Sequence, residues 1–200
     1  VLAEGESRSE AELARELERR GHAIAWARCG VLQLARRHDG DGALRAAIDT
    51  LGFPASFVEQ VDAASGSARA GLRVDRPGAW FPEGGWARAP SIVRAQLDAA
   101  MAMRGSAFLG SRRVDALART PDGWRVSDEA GATIAEASVV VLANAADIAR
   151  LSPIGTSIRS VRGQASYLPA AAFAAPQAVV IGHGYVLPAI DGTVVVGSSY

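Results

Sequence analysis

The run Ser138-Val139-Val140-Val141-Leu142-Ala143 constrains this chain more than any other stretch. Apolar, mostly β-branched side chains follow one another without polar alternation, so a strand built from them is apolar on both faces. Such a strand suits a parallel sheet, where each face is covered. Asn144-Ala145-Ala146 follow at once, and the pattern predicts a short helix over residues 144–150. Small residues between a buried strand and a helix let a ligand approach the backbone, and a helix start offers free N–H groups with partial positive charge. A close-packed strand-to-helix turn accounts for the same residues.

The sequence before this run alternates helical and strand signals. Ser9-Glu10-Ala11-Glu12 has capping-box spacing, which predicts a helix over 10–20 that ends at Gly21. Residues 22–28 and 31–35 read as two short strands about Gly30, in a hairpin or bend. Asp41 is placed to cap a helix running to Leu51, and a further short helix is expected at 55–64. Ala79-Trp80-Phe81-Pro82 reads as a strand and Glu83-Gly84-Gly85-Trp86 as a turn. Pro90 suits the first turn of a helix to about Arg104, with Val93, Leu97, Ala100 and Met101 as its apolar stripe.

Beyond it, residues 107–109, 113–118, 124–126 and 133–135 are strand candidates, with turns at Asp122-Gly123 and Ala130-Gly131. The last fifty residues are mostly strand, with candidates at 159–168, 177–182, 184–190 and 193–199. The fold class is therefore α+β, a mixed α/β chain with antiparallel pairs and at least one buried parallel strand.

Charge and composition narrow the chemistry. Twenty-one basic and 21 acidic residues cancel, which argues against a purely electrostatic nucleic-acid binder. All 21 basic residues are Arg, so Lys-based Schiff-base chemistry is excluded from this segment. The single cysteine, Cys29, reads as a buried thiol and fits a reducing, cytoplasmic setting. His22, His38 and His183 have no metal-ligand spacing. No apolar run reaches the roughly 18 residues of a membrane helix, and the first residues do not read as a signal peptide. The chain starts at Val1 and stops at Tyr200 just after an apolar run, so it is expected to be a piece of a longer protein.

No complete nucleotide fingerprint is present; Gly182-His183-Gly184 lies between two strands and reads as a turn. Two further features can carry chemistry. Arg162-Gly163-Gln164, with Arg159 nearby, can set a guanidinium fork against an anion or a flavin oxygen, or is an exposed strand-edge Arg. Gly184-Tyr185-Val186-Leu187-Pro188, Asp191-Gly192 and Val194 to Tyr200 form a hairpin pattern whose hydroxyls can line a pocket, or an ordinary hairpin. Trp80, Trp86 and Trp124 read as core residues rather than stacking platforms.

In order and spacing, Leu109 to Leu117, Ser138 to Ala145, Arg162-Gly163-Gln164, Gly184 to Pro188 and Asp191 to Ser198 resemble the FAD-dependent oxidoreductases related to D-amino-acid oxidase and glycine oxidase. Cys29 to Leu34, Phe81-Pro82-Glu83-Gly84-Gly85-Trp86 and Val161 to Gln164 carry a narrower resemblance, to the oxidoreductase domain of the bifunctional enzymes that modify the tRNA wobble uridine. The resemblance implies a substrate-domain-type mixed antiparallel sheet with flanking helices, plus part of an FAD-binding Rossmann-like layer. It divides the chain into residues 1–75, helices and short strands of the substrate domain; 76–150, a partial FAD-binding domain; and 151–200, substrate-domain strands.

The implied reaction is oxidative removal of the carboxymethyl group from 5-carboxymethylaminomethyl-uridine, with FAD as cofactor and a fused methyltransferase domain as partner. Val114, Ala143, Asn144 and Ala145 match cofactor-side positions, Val114 at the strand whose backbone meets the adenine. Arg162, Gln164, Tyr185, Ser198 and Ser199 match substrate-side positions. Catalytic residues are not assigned. The family's G-x-G-x-x-G loop is absent from this sequence, so the chain by itself is expected to bind FAD weakly or not at all. A simple amino-acid or amine oxidase such as glycine oxidase, and a non-catalytic partner- or RNA-binding module, are the alternatives.

Overall fold

A computed structural model describes residues 15, 17–36, 42–152, 155 and 158–199. The capping box at residues 9–12 and the cap expected of Asp41 lie outside them. Two compact units emerge, the first made of Val1–Arg104 with Gly163–Tyr200 and the second of Gly105–Arg162.

The first unit opens with β1 (Trp26–Arg28) and β2 (Val31–Leu34), α1 (Ala43–Leu51), β3 (Glu59–Val61) and α2 (Ala63–Ala70). It continues through β4 (Gly78–Phe81), β5 (Gly85–Ala87) and α3 (Ala89–Met101). The second unit holds β6 (Ala116–Thr120), β7 (Gly123–Ser127), β8 (Thr133–Ala137), a 3-10 turn at Ala145–Asp147 and α4 (Ile148–Leu151). The chain then returns to the first unit with β9 (Gln164–Pro169), β10 (Val179–Ile181), β11 (Tyr185–Val186) and β12 (Thr193–Ser199).

A seven-stranded mixed sheet in the order β3-β4-β2-β10-β11-β12-β9 forms the first unit's frame. Only β2 and β10 pair in parallel, with Leu32 beside Val180. Leu32, Val61, Ala70 and Val180 are buried together on this sheet, with Leu34, Val74, Trp80 and Val186 packed around them. The strands about Gly30 form a bend rather than a hairpin: β1 pairs with β5, and β2 with β4 and β10. Gly30 makes that bend in the left-handed region, at φ +82.

Two expectations for the first unit are corrected. The helix expected at 55–64 is displaced to α2, and residues 59–61 form a strand instead. Ala63-Ala64-Ser65-Gly66-Ser67 has no bulky stripe, but its small residues let the helix lie close on the sheet. A Cβ at Gly66 would stand 3.3 Å from Leu32 Cδ2. Asp62 starts α2 by accepting a hydrogen bond from the Ser65 N–H at 2.7 Å. On α3, the buried face is not the expected stripe. Ala95 is buried with Leu17 and Ile24, flanked by Ile92 and Ala99, whereas Val93 and Met101 are exposed. The alanines on this face allow the helix a close approach.

In the second unit, β6, β7 and β8 form the expected antiparallel meander. Residues 107–109 form no strand. The run at 138–143 is also not part of any sheet among the described residues. Val139 is 73% and Val141 83% exposed. Their apolar faces have no cover and their backbone no neighbouring strand here, and a ladder requires a neighbour. No helix among the described residues is long and apolar enough to cross a membrane.

Candidate functional site

The cofactor-side residues expected from the sequence all lie in the second unit. Val114 lies two residues before β6, and Ala143-Asn144-Ala145 lead into the 3-10 turn and α4. Arg150 joins these two places. Its guanidinium donates to the Val114 carbonyl at 2.8 Å and to the Asp115 carbonyl at 2.9 Å. It also meets the Asp115 carboxylate at 3.2 Å and the Asp147 carboxylate at 2.8 Å. The strand expected from residue 113 begins only at Ala116, after the two carbonyls that a side chain has taken. The Arg150 hydrogen bond holds the Asp147 carboxyl below the usual carboxylate range. Asp147 in turn raises the Arg150 pKa, so this pair is fully charged across the physiological range.

The turn itself has two unusual features. Both polar atoms of the Asn144 side chain, Oδ1 and Nδ2, are buried and have no hydrogen-bond partner. A buried amide without partners is costly, and such a group calls for a missing partner. Ala145 sits at φ 50, in the left-handed region that favours glycine. An orphaned amide beside a strained small residue fits a polar ligand brought close to the backbone. The donor and acceptor chemistry of one amide fits an adenine, ribose or flavin edge, so the residues present are compatible with FAD.

Four of the residues expected on the substrate side, Gln164, Tyr185, Ser198 and Ser199, lie on the adjoining strands β9, β11 and β12 of the large sheet. Tyr185 on β11 lies opposite Gly197 on β12. Gly197 also faces Ala165 on β9, and Ser199 faces Gln164. The register shifts between Gly197 and Ser199, so Ser198 is the extra residue of a bulge. Bulges are common beside active sites because they re-aim side chains. A Cβ at Gly197 would stand 2.9 Å from the Tyr185 hydroxyl and 3.0 Å from Cζ, so the glycine leaves the phenol its place. Arg162 precedes β9 and belongs to the second unit, apart from this group in the chain's division.

Gly182 and Gly184 form the expected turn, the Gly182 N–H donating to the Gly184 carbonyl at 2.7 Å. Beside this turn is a cavity of about 350 Å³, lined by residues 33–36, Arg76, Gly182 and His183. It sits at the carboxyl ends of the parallel pair β2 and β10, a common place for ligands in sheets with parallel strands. The sequence did not reveal it, because nothing local in residues 33–36 signals that β10 runs beside them.

Burial pushes the Cys29 thiol up from its ordinary value, and neighbouring Arg28 is engaged by Glu83 at 2.5 Å. A protonated thiol is a poor nucleophile, which agrees with a packing role. Trp80 packs against the large core cluster, as expected of a core residue. No cluster of metal-ligating side chains occurs among the described residues.

The family model described as "DAO: FAD dependent oxidoreductase" matches residues 3–200. The "tRNA 5-methylaminomethyl-2-thiouridine biosynthesis bifunctional protein MnmC" of Ralstonia nicotianae is 42% identical over 92% of this chain, which spans 29% of that protein. The corresponding protein of Cupriavidus necator is 40% identical over 92% of the chain and 29% of its own length. Among solved structures, glycine oxidase from Geobacillus kaustophilus aligns at a TM-score of 0.74 with 23% identity, covering 94% of this chain and 52% of that one. That likeness shows the fold.

Proposed function

This chain belongs to the FAD-dependent oxidoreductase family, and we propose that it forms part of an enzyme that oxidatively removes the carboxymethyl group from 5-carboxymethylaminomethyl-uridine at the tRNA wobble position. The observation that carries this reading is the 42% identity to a bifunctional tRNA-modifying protein across nearly all of the chain. The chain spans under a third of that relative, so the proposal concerns a longer polypeptide, with a methyltransferase domain fused to it and a cytoplasmic location.

Within the proposal, the second unit holds the cofactor side. The Val114 backbone and the Ala143-Asn144-Ala145 turn approach the FAD, with the Asn144 amide offering a donor and an acceptor. When bound, FAD accepts two electrons and a proton from the C–H beside the substrate amine. The first unit holds the substrate side. Gln164 and Tyr185 lie on strands flanking β12 and offer an amide and a hydroxyl for orienting a polar substrate, with Ser198 and Ser199 as the substrate-side positions of β12. Arg162, which belongs to the second unit, offers a guanidinium for an anionic group.

The test is nucleoside analysis of tRNA from cells lacking the gene. Accumulation of 5-carboxymethylaminomethyl-uridine is expected. Unchanged wobble nucleosides would defeat the tRNA reading. Peroxide release from glycine by the purified natural-length protein would then favour an amino-acid oxidase, the reading to which the glycine oxidase fold lends weight.

A further inference from the structure

We propose that Arg150 is a positioning residue of the cofactor side, fixing the distance between the Val114 backbone and the Asn144 turn. The inference rests on the FAD reading above. Its own basis is the geometry within the second unit.

Consider what else holds those two segments together. Residues 112–115 belong to no strand, and residues 138–144 belong to none either; the Asp115 N–H donates to the Ser127 carbonyl of β7 at 2.8 Å, so the meander anchors Asp115 but its pairing stops at Ala137. Between these two segments the described residues show the Arg150 guanidinium as the hydrogen-bonded link. Its Nη2 donates to the Val114 carbonyl at 2.8 Å and its Nη1 to the Asp115 carbonyl at 2.9 Å. The same fork is steered from its own helix by Asp147, whose carboxylate receives Nε at 3.2 Å and Nη2 at 2.8 Å. The Asp115 carboxylate completes the cluster at 3.2 Å from Nη1.

The donor pattern uses what only arginine has. Five N–H groups in one rigid plane can serve two consecutive carbonyls and two carboxylates together, whereas an ammonium is a point charge on a flexible stem. Asn144 lies three residues before Asp147, and its carbonyl accepts from the Asp147 N–H at 3.2 Å. The orphaned amide is thus joined through Asp147 and Arg150 to the Val114 carbonyl. Moving the fork moves one wall of the proposed adenine side against the other. A lost charge-assisted hydrogen bond in such a site costs on the order of ten- to a hundredfold in affinity.

The experiment uses the natural-length flavoprotein, stripped of flavin and titrated with FAD and separately with FMN, which lacks the adenosine half. Arg150→Lys keeps the charge and loses the fork, and Asp147→Asn weakens its steering. Both variants are expected to lose about tenfold or more in FAD affinity and to leave the FMN affinity unchanged. Melting temperatures of the flavin-free proteins are expected to stay close to wild type. Wild-type FAD affinity in both variants would overturn the proposal while leaving the cofactor reading standing. Equal losses for FAD and FMN with a lowered melting temperature would overturn it too, as a purely structural role. A wild-type protein that binds no FAD would remove the cofactor reading and the proposal together.

Discussion

Gly30→Ala tests whether the bend between β1 and β2 is held as tightly as its geometry implies. Gly30 sits at φ +82, and its backbone is bonded on both sides: its N–H donates to Gly84 at 2.9 Å and its carbonyl accepts from Val179 at 3.1 Å. A methyl group there would lie 2.1 Å from Trp80 Cη2 and 2.3 Å from Cζ2. Trp80 has little room to withdraw, because it pairs in register with Leu32 and packs on the large core cluster. The left-handed conformation costs an alanine about 1–2 kcal/mol. Overpacking adds about 1–3 kcal/mol, and the stiffer unfolded chain returns about 0.4–1 kcal/mol.

The net loss is on the order of 2–3 kcal/mol, or roughly 5–10 °C in melting temperature for a protein of this size. Thermal melts and urea titration with Trp fluorescence measure it. Trp80→Phe in the same chain removes the ring atoms that the methyl group meets, so the double variant is expected to show a coupling of about 1–3 kcal/mol. A Gly30→Ala protein as stable as wild type would refute the reasoning, and strict additivity with Trp80→Phe would refute the assignment of the clash.

Three other outcomes follow from the same geometry. Ala145→Gly releases the left-handed strain at φ 50 and is expected to raise stability by up to about 1 kcal/mol, read as a higher melting temperature. Gly197→Ala places a methyl group 2.9 Å from the Tyr185 hydroxyl, so the natural-length enzyme is expected to show a raised KM with little change in fold by circular dichroism. Asp62→Ala removes the bond to the Ser65 N–H and is expected to lower the melting temperature at neutral pH. That bond holds the folded Asp62 carboxyl below its ordinary value, so its contribution is present above the ordinary carboxylate range and lost as pH falls through the depressed folded value. Melts across the acid range are expected to show wild type and variant converging there.

The sequence was most legible where local chemistry decides local structure. Asp122-Gly123 and Asp191-Gly192 marked turns that bound β7 and β12, and Pro90 marked the first turn of α3. It was least legible where a partner distant in the chain decides. The face of α3 that packs is set by Leu17 and Ile24, about seventy residues upstream, and the small residues that fit there carry no hydrophobic signal of their own. Helix α2 was misplaced for the same reason, since the small residues from Ala63 to Ser67 carry no apolar stripe until Leu32 is seen beneath Gly66.

The candidate site divides along this line as well. Asn144 and Ala145 could be singled out because a small-residue turn after an apolar run is a local pattern. Arg150 could not, because its significance lies in two carbonyls thirty-five and thirty-six residues earlier. One of 21 arginines in a chain without lysine gives no compositional hint.

The run Val139-Val140-Val141 shows how such a gap can itself inform. Its doubly apolar pattern asks for a cover on both faces, yet Val139 and Val141 are exposed and no strand pairs with them among the described residues. Burying a valine stabilises a fold by about 1.5–3 kcal/mol, so Val139 and Val141 left open forgo several kcal/mol. The strand signal in the sequence and the open backbone in the structure agree if that cover comes from further polypeptide, as the chain's 29% share of its tRNA-modifying relative allows. Hydrogen exchange distinguishes this from an error in reading the pattern. Amides of residues 139–142 are expected to exchange rapidly in the 200-residue chain and slowly in the natural-length protein, and equal rates in both would show that the run was never a strand in waiting.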